Sequence, residues 1–147
     1  MKARRRSRVL VLRMLYSMDT GGYWDTTGQG VMDVIQTLNT HFPLVDDEQH
    51  ISEDRPFMRT LALGVVTKRD ELDSSLEKAS NNWKTSRMDI VDRCILRMGV
   101  FEILHMEGVP DAVTISEAID LAADYGSERS VPFVNGILDE VRRKNIA

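Results

Sequence analysis

SRMDIVDRCILRMGVFEILHM, residues 86–106, is the stretch that decides the fold. Ile90, Val91, Cys94, Ile95, Met98 and Phe101 share one broad face at helical spacing, and Leu96, Val100, Ile103 and Leu104 line another. A helix apolar on two sides is touched from several directions, so this segment is expected at the centre of a helical bundle. Ser86 is its expected N-cap, and Gly99 lets a neighbour come close.

Working outward, the next helix starts after Pro110, carries Ile115, Ala118, Ile119, Ala122 and Tyr125, and stops at Gly126. Val134, Ile137, Leu138 and Val141 then repeat at i, i+3, i+4 and i+7, with Ser130 the better N-cap because Pro132 demands a start nearby. Upstream, Phe57, Leu61 and Val65 step by four, the next step falls on Arg69, and the stripe resumes at Leu72, Leu76 and Ala79. One long helix over about 53–79 is predicted, capped by Ser52 and followed by NNWKTS, where Trp83 is expected to plug a seam between helix groups. Val31, Val34, Ile35, Leu38 and Phe42 mark a shorter helix that closes at Pro43 before the acidic run VDDEQHISED. With four prolines in 147 residues and almost no alternating pattern, the chain is all-α.

Charge is distributed unevenly. MKARRRSRVLVLR, residues 1–13, holds six Lys and Arg and no acid, although the whole chain is at −4; the remainder carries thirteen basic residues against all twenty-three acids. Such an end attracts a polyanion, while the acidic body limits indiscriminate binding. A solvated, frayed tail is the commoner fate of an Arg run, but here the charges lead straight into VLVLRMLYSM. Val11, Leu15 and Met18 make an apolar face on a helix over about 4–18, with Arg6 and Arg13 opposite it and Arg5 and Tyr16 on its flank. Guanidinium groups beside an aromatic ring suit phosphates and an unstacked base.

Several classes are excluded or unsupported. The single Cys94 rules out an internal disulfide framework, and His41, His50 and His105 are scattered, without a zinc-ligand or nucleophile-elbow pattern. Gly21, Gly22, Gly28 and Gly30 match neither GxGxxG nor GxxxxGK. The acidic run lacks the order of a calcium loop. No enzyme activity, cofactor or metal is expected, and with no membrane-length apolar run the protein is expected to be soluble and cytoplasmic.

The blocks VDRCILRMGVFEIL (91–104), VPDAVTISEAIDLAADYG (109–126) and FVNGILDEV (133–141), with RRRSRVLVLRMLYS at the N-terminus, together resemble the bacterial transcription antitermination factor NusB family. The likeness covers the first helix and roughly residues 57–144, and is weak over 19–56. It implies an all-α, NusB-like fold of two packed three-helix-type bundles. That would be a single RNA-binding domain over 1–147, with halves of about 1–80 and 81–147. It also implies that the protein, together with the ribosomal protein NusE, holds single-stranded boxA-type RNA of nascent, chiefly ribosomal RNA transcripts and helps RNA polymerase, in an antitermination complex, pass terminators.

Carried over residue by residue, the resemblance places RNA at Arg4, Arg5, Arg6, Arg8 and Tyr16, and at Tyr125, Gly126, Ser127, Arg129 and Phe133, and places NusE at Asp92. From position alone, Tyr16, Tyr125 and Phe133 suit a core better than a base platform; the resemblance reverses that for both tyrosines and leaves Phe133 open to both. Asp89, Asp92 and Arg93 also suit a plain surface ion-pair set. Arg129 departs from an acidic side chain common in the family, which implies tighter, less selective RNA binding, and Pro132 replaces a common basic residue. A protein-binding helical adaptor or homodimer remains an alternative. So does a NusB-like domain of the kind fronting ribosomal RNA methyltransferases, although no βαβ region follows here.

Overall fold

The structure, a computed structural model, describes residues 2–44 and 52–146, and Ile146 by its backbone alone. Most of the acidic run, residues 45–51, lies outside the described residues. Among the described residues, every regular element is helical. They are α1 (Ala3–Gly21), α2 (Gly28–His41), α3 (Arg55–Thr67), α4 (Arg69–Ala79), a 3-10 turn (Thr85–Arg87), α5 (Ile90–His105), α6 (Asp111–Tyr125) and α7 (Ser130–Ile146). Contacts divide the chain into an N-terminal unit, α1 to α3, and a C-terminal unit, α4 to α7, with the boundary after Thr67.

The predicted helix over 53–79 is therefore two helices. The chain leaves helical geometry at Lys68 (φ −108°, ψ 16°). Immediately before it, the Thr67 hydroxyl donates to the Leu63 carbonyl at 2.8 Å, the kind of back-bonding that loosens a helical ladder. The broken stripe was the sequence trace of this: Phe57, Leu61 and Val65 are buried in the first unit, Leu72 and Leu76 in the second.

In the N-terminal unit, α1 packs against both α2 and α3, and Ser7 through Leu12 are buried without interruption. The start of α3 is stitched to α1. Ser7 Oγ accepts from the Asp54 amide at 2.9 Å, while the Asp54 carboxylate accepts from the Phe57 amide at 3.2 Å and caps the helix. Asp54, rather than Ser52, thus closes the first turn. At the other end of α2, Arg13 Nη2 donates to the carbonyls of Leu38 (3.2 Å) and Phe42 (2.5 Å). Arg13 is accordingly a helix C-cap and not a solvent-facing charge.

In the C-terminal unit, α5 is the centre, in contact with α4, α6 and α7, and residues 94–103 are buried one after another. Three polar side chains go inside with it, each with a partner on a different neighbour. Arg97 makes a bidentate pair with Asp73 of α4 (2.7 and 2.9 Å), Glu102 accepts from Thr114 Oγ1 of α6 (3.0 Å), and Asp92 accepts from Ser130 Oγ of α7 (2.6 Å). Gly99 fills its expected role, since a Cβ there would stand 2.8 Å from both methyl groups of Leu138 on α7. Asp89, and not Ser86, occupies the N-cap position, with the 3-10 turn absorbing Ser86.

Asp73→Ala leaves the Arg97 guanidinium inside without its carboxylate and should lower the free energy of unfolding by about 3 kcal/mol in urea titration. The double variant Asp73→Ala/Arg97→Met, which removes the buried guanidinium as well, should recover part of that loss. A double variant no more stable than the single would show that the pair does not anchor α4 to α5.

Candidate nucleic-acid interface

The predicted RNA residues fall on two surfaces, one in each unit. On α1, Lys2 sits at the N-cap without a side-chain cap, the first turn holds no acid, and Arg4 and Arg5 are exposed. A helix N-terminus already carries partial positive charge from its unsatisfied amides, so the basic cluster adds like charge to like and creates a site that an anion stabilises. Within the structure that role is met in part by carboxylates: Arg4 Nε lies 3.2 Å from Asp54 Oδ2 and Arg6 Nε lies 3.8 Å from Glu53 Oε2.

Arg8 has a different position from the other three. It is only 3% exposed, and its guanidinium lies over the Phe57 ring at 4.9 Å, with Arg4 over the same ring at 4.7 Å. The structure thus places Arg8 in the α1–α3 packing layer. Spacing already put Arg8 on the edge of the apolar face, three residues before Val11 and seven before Leu15, but its charge made it read as a phosphate contact. Tyr16 is 44% exposed. Eleven residues separate it from Arg5, which brings the two to within about 20° around the helix and about 16 Å apart along it.

The second surface is the turn joining α6 to α7. Tyr125 is 46% exposed at the end of α6, residues 126–129 are all exposed, and Phe133 is half-buried on α7. The turn is organised around one hydroxyl. Ser130, predicted as an N-cap, is instead the first residue of α7, almost wholly buried; its Oγ accepts from the Ser127 amide at 2.9 Å and donates to Asp92 at 2.6 Å. Gly126 is required by this arrangement. Its backbone is extended (φ −93°, ψ −162°), and a Cβ on it would collide with Ser130 Oγ and stand 2.7 Å from the Ala122 carbonyl.

Asp92, placed by resemblance on a protein-binding surface, is 5% exposed and bonded to Ser130. Its carboxylate faces the inside of the unit. Sequence reading missed this because a charged residue in the first turn of a helix is ordinarily a solvated one. Trp83, expected to plug a seam, is 50% exposed and meets Phe133 edge to face, with ring centroids 5.5 Å apart. Among the described residues there is no group of three or more His, Cys, Asp or Glu able to hold a metal ion, and no helix long and apolar enough to cross a membrane.

Residues 5–143 match the model of the NusB family, spanning both surfaces and every helix of the structure. The chain belongs to the NusB family. The transcription antitermination protein NusB of Desulforapulum autotrophicum is 38% identical over 145 residues, covering 97% of this chain and 94% of its own. That of Geobacter sulfurreducens is 39% identical over 141 residues, covering 96% and 94%. Among solved structures, T. maritima NusB matches with a TM-score of 0.78 at 28% identity over 98% of this chain and 94% of that one. A chain from the crystal structure of antitermination factors NusB and NusE in complex with dsRNA shares the fold, with a TM-score of 0.76 at 21% identity over 95% and 96%. The all-helical architecture expected from the periodicity is thus a NusB fold.

Burial raises the Asp92 carboxyl above its usual 3.8, the Ser130 hydroxyl offsets part of the rise, and nearby Asp89 adds to it. With the folded value above the unfolded one, ionised Asp92 costs the folded state. That cost is absent below 3.8 and complete above the raised value. Urea unfolding at stepped pH should therefore show wild type losing stability relative to Asp92→Asn as pH climbs through this window. Parallel curves for the two proteins would mean that the Asp92 charge is not carried into the interior.

Proposed function

We propose that this chain is an RNA-binding transcription antitermination factor that works with NusE on single-stranded, boxA-type RNA of nascent transcripts, in the cytoplasm and without a catalytic step of its own. The observation that carries the RNA reading is the start of α1. It is a helix N-terminus with no acid in its first turn, exposed Arg4 and Arg5, partly buried Arg6, and exposed Tyr16 on the Arg5 side. Tyr125, Ser127 and Arg129 give the C-terminal unit a second exposed set of aromatic, hydroxyl and cationic groups.

The division of labour follows from the chemistry. Arginines on phosphates add affinity and position without reading sequence, whereas aromatic rings and the exposed backbone of the 126–129 turn can discriminate unpaired bases. Glu53 and Asp54 compete with phosphates for Arg6 and Arg4, so RNA binding exchanges one set of anions for another. Arg8 belongs to this reading as a support: its place on Phe57 fixes the helix that carries Arg4 and Arg5. Asp92 acts from inside the unit, through Ser130, on the turn rather than by direct contact with NusE. Function then lies in differential binding: a partner that favours the RNA-competent state raises RNA affinity, and RNA raises partner affinity by the same factor.

With at least four phosphates neutralised, at Arg4, Arg5, Arg6 and Arg129, log K should fall against log salt with a slope of about −3 or steeper, from roughly 0.7 per single-strand phosphate. Gel titration of boxA-like and scrambled RNA should show Arg4→Ala/Arg5→Ala weakening both alike and reducing the slope by about 1.4. Tyr125→Ala should weaken boxA-like RNA more than scrambled, and Arg129→Asp should lower affinity for both at low salt. A flat salt response would remove α1 from the binding surface and leave the protein-binding adaptor as the better reading.

A further inference from the structure

The loop between α4 and the 3-10 turn, SNNWK over residues 80–84, is built in a way that packing alone does not require. Asn81 (φ 56°) and Asn82 (φ 63°) are the only non-glycine residues with positive φ among the described residues, and they are consecutive. Asparagine tolerates the left-handed region better than most side chains, yet two in succession carry a conformational cost that the surroundings must offset. They do so with hydrogen bonds. The Asn82 amide donates to the Glu77 carbonyl at 2.6 Å, the Trp83 amide to the Ser80 carbonyl at 3.3 Å, Ser80 Oγ to the Trp83 carbonyl at 3.2 Å, and the Thr85 amide to the Glu77 carboxylate at 3.3 Å.

The product of this scaffold is an indole held in place but half in water. The backbone of Trp83 is bonded on both sides, and its ring is fixed by the edge-to-face contact with Phe133 at an interplanar angle of 66°. Edge-to-face packing leaves much of a ring surface uncovered, and half of Trp83 is exposed. Beside it Lys84 reaches outward, with its ammonium 4.0 Å from Glu77 and most of its side chain in solvent. A rigid, half-exposed aromatic surface receives an unpaired nucleobase, and Lys84, the next residue in the chain, offers a cation for the phosphate attached to it.

We propose that Trp83 is a stacking platform for an unpaired base of bound RNA, with Lys84 at the adjoining phosphate, and that the nucleic-acid surface of the C-terminal unit extends through Phe133 to this loop. The proposal rests on the RNA-binding reading given above. Stacking uses the face common to all bases, so Trp83 contributes affinity with little sequence preference.

Trp24 and Trp83 are the only two tryptophans, so a Trp24→Phe protein reports on Trp83 alone. Titration of that full-length protein with a short single-stranded boxA-like RNA should quench its emission, and a scrambled RNA should do so at saturation as well. Trp83→Leu should weaken both RNAs about fivefold or more with little change in the unfolding midpoint, Trp83→Phe should retain most of the affinity, and Lys84→Ala should lower the salt slope by about 0.7. Unquenched emission at saturating RNA, or a folded Trp83→Leu protein with wild-type affinity, overturns the platform. If the Arg4→Ala/Arg5→Ala protein is weakened in the same assay, the RNA-binding reading survives that failure. If RNA binds none of the proteins, both fall together.

Discussion

A helix surrounded by protein has to bring a partner for every polar group it takes inside, and α5 meets this requirement three times. Arg97 reaches α4, Glu102 reaches α6 and Asp92 reaches α7, so each neighbour is keyed to the centre by one charged or charge-accepting side chain. Apolar contacts around the rest of α5 tolerate small slips, because dispersion is not directional. These hydrogen bonds do not, since a shift of about one ångström would leave a buried charge unsatisfied at a cost of several kcal/mol. The register of the C-terminal unit therefore depends on them, and the turn between α6 and α7 inherits its position from the same set.

The N-terminal unit solves a different problem. Its first helix opens with a concentration of positive charge at the end where the backbone is already positive. Asp54 eases this by bonding to Arg4 and also caps α3, while Ser7 ties the same residue to α1 from the buried side. Arg8 and Arg4 on the Phe57 ring complete the junction. The basic end is in this way a structured element whose charges have fixed places.

Most helices were legible in the sequence because their apolar residues recur at fixed spacing, and the α3–α4 break left a trace where the stripe met Arg69. What could not be read depends on which side of a helix a second neighbour occupies. Arg13 lies opposite the apolar face of α1 and Arg8 on its edge, three residues before Val11 and seven before Leu15, and both resemble solvent charges by residue type; only with α2 and α3 in place does one become a ring contact and the other a cap. Asp92 was hidden for the same reason, since its partner lies thirty-eight residues away. Tyr16 and Tyr125, which spacing alone favours as core, are both substantially exposed. Trp83 was misjudged because a large aromatic after a loop is usually interior, and the left-handed Asn81 and Asn82 that hold it outward carry no periodic signal.

The Gly126 to Ser130 contact constrains how this sequence can diverge. The hydroxyl of Ser130 occupies the volume that any side chain at position 126 would need, and the same hydroxyl serves the Asp92 carboxylate and the Ser127 amide. A larger residue at 126 meets the Ser130 side chain and the Ala122 carbonyl together, and a smaller residue at 130 strands Asp92. Positions 126 and 130 are therefore coupled through volume, while position 92 needs only a side chain that accepts from Ser130. Gly126 and Ser130 thus hold the backbone of the turn, while the exposed residues around them, Glu128 and Arg129 among them, can vary the charge offered to a ligand without moving it.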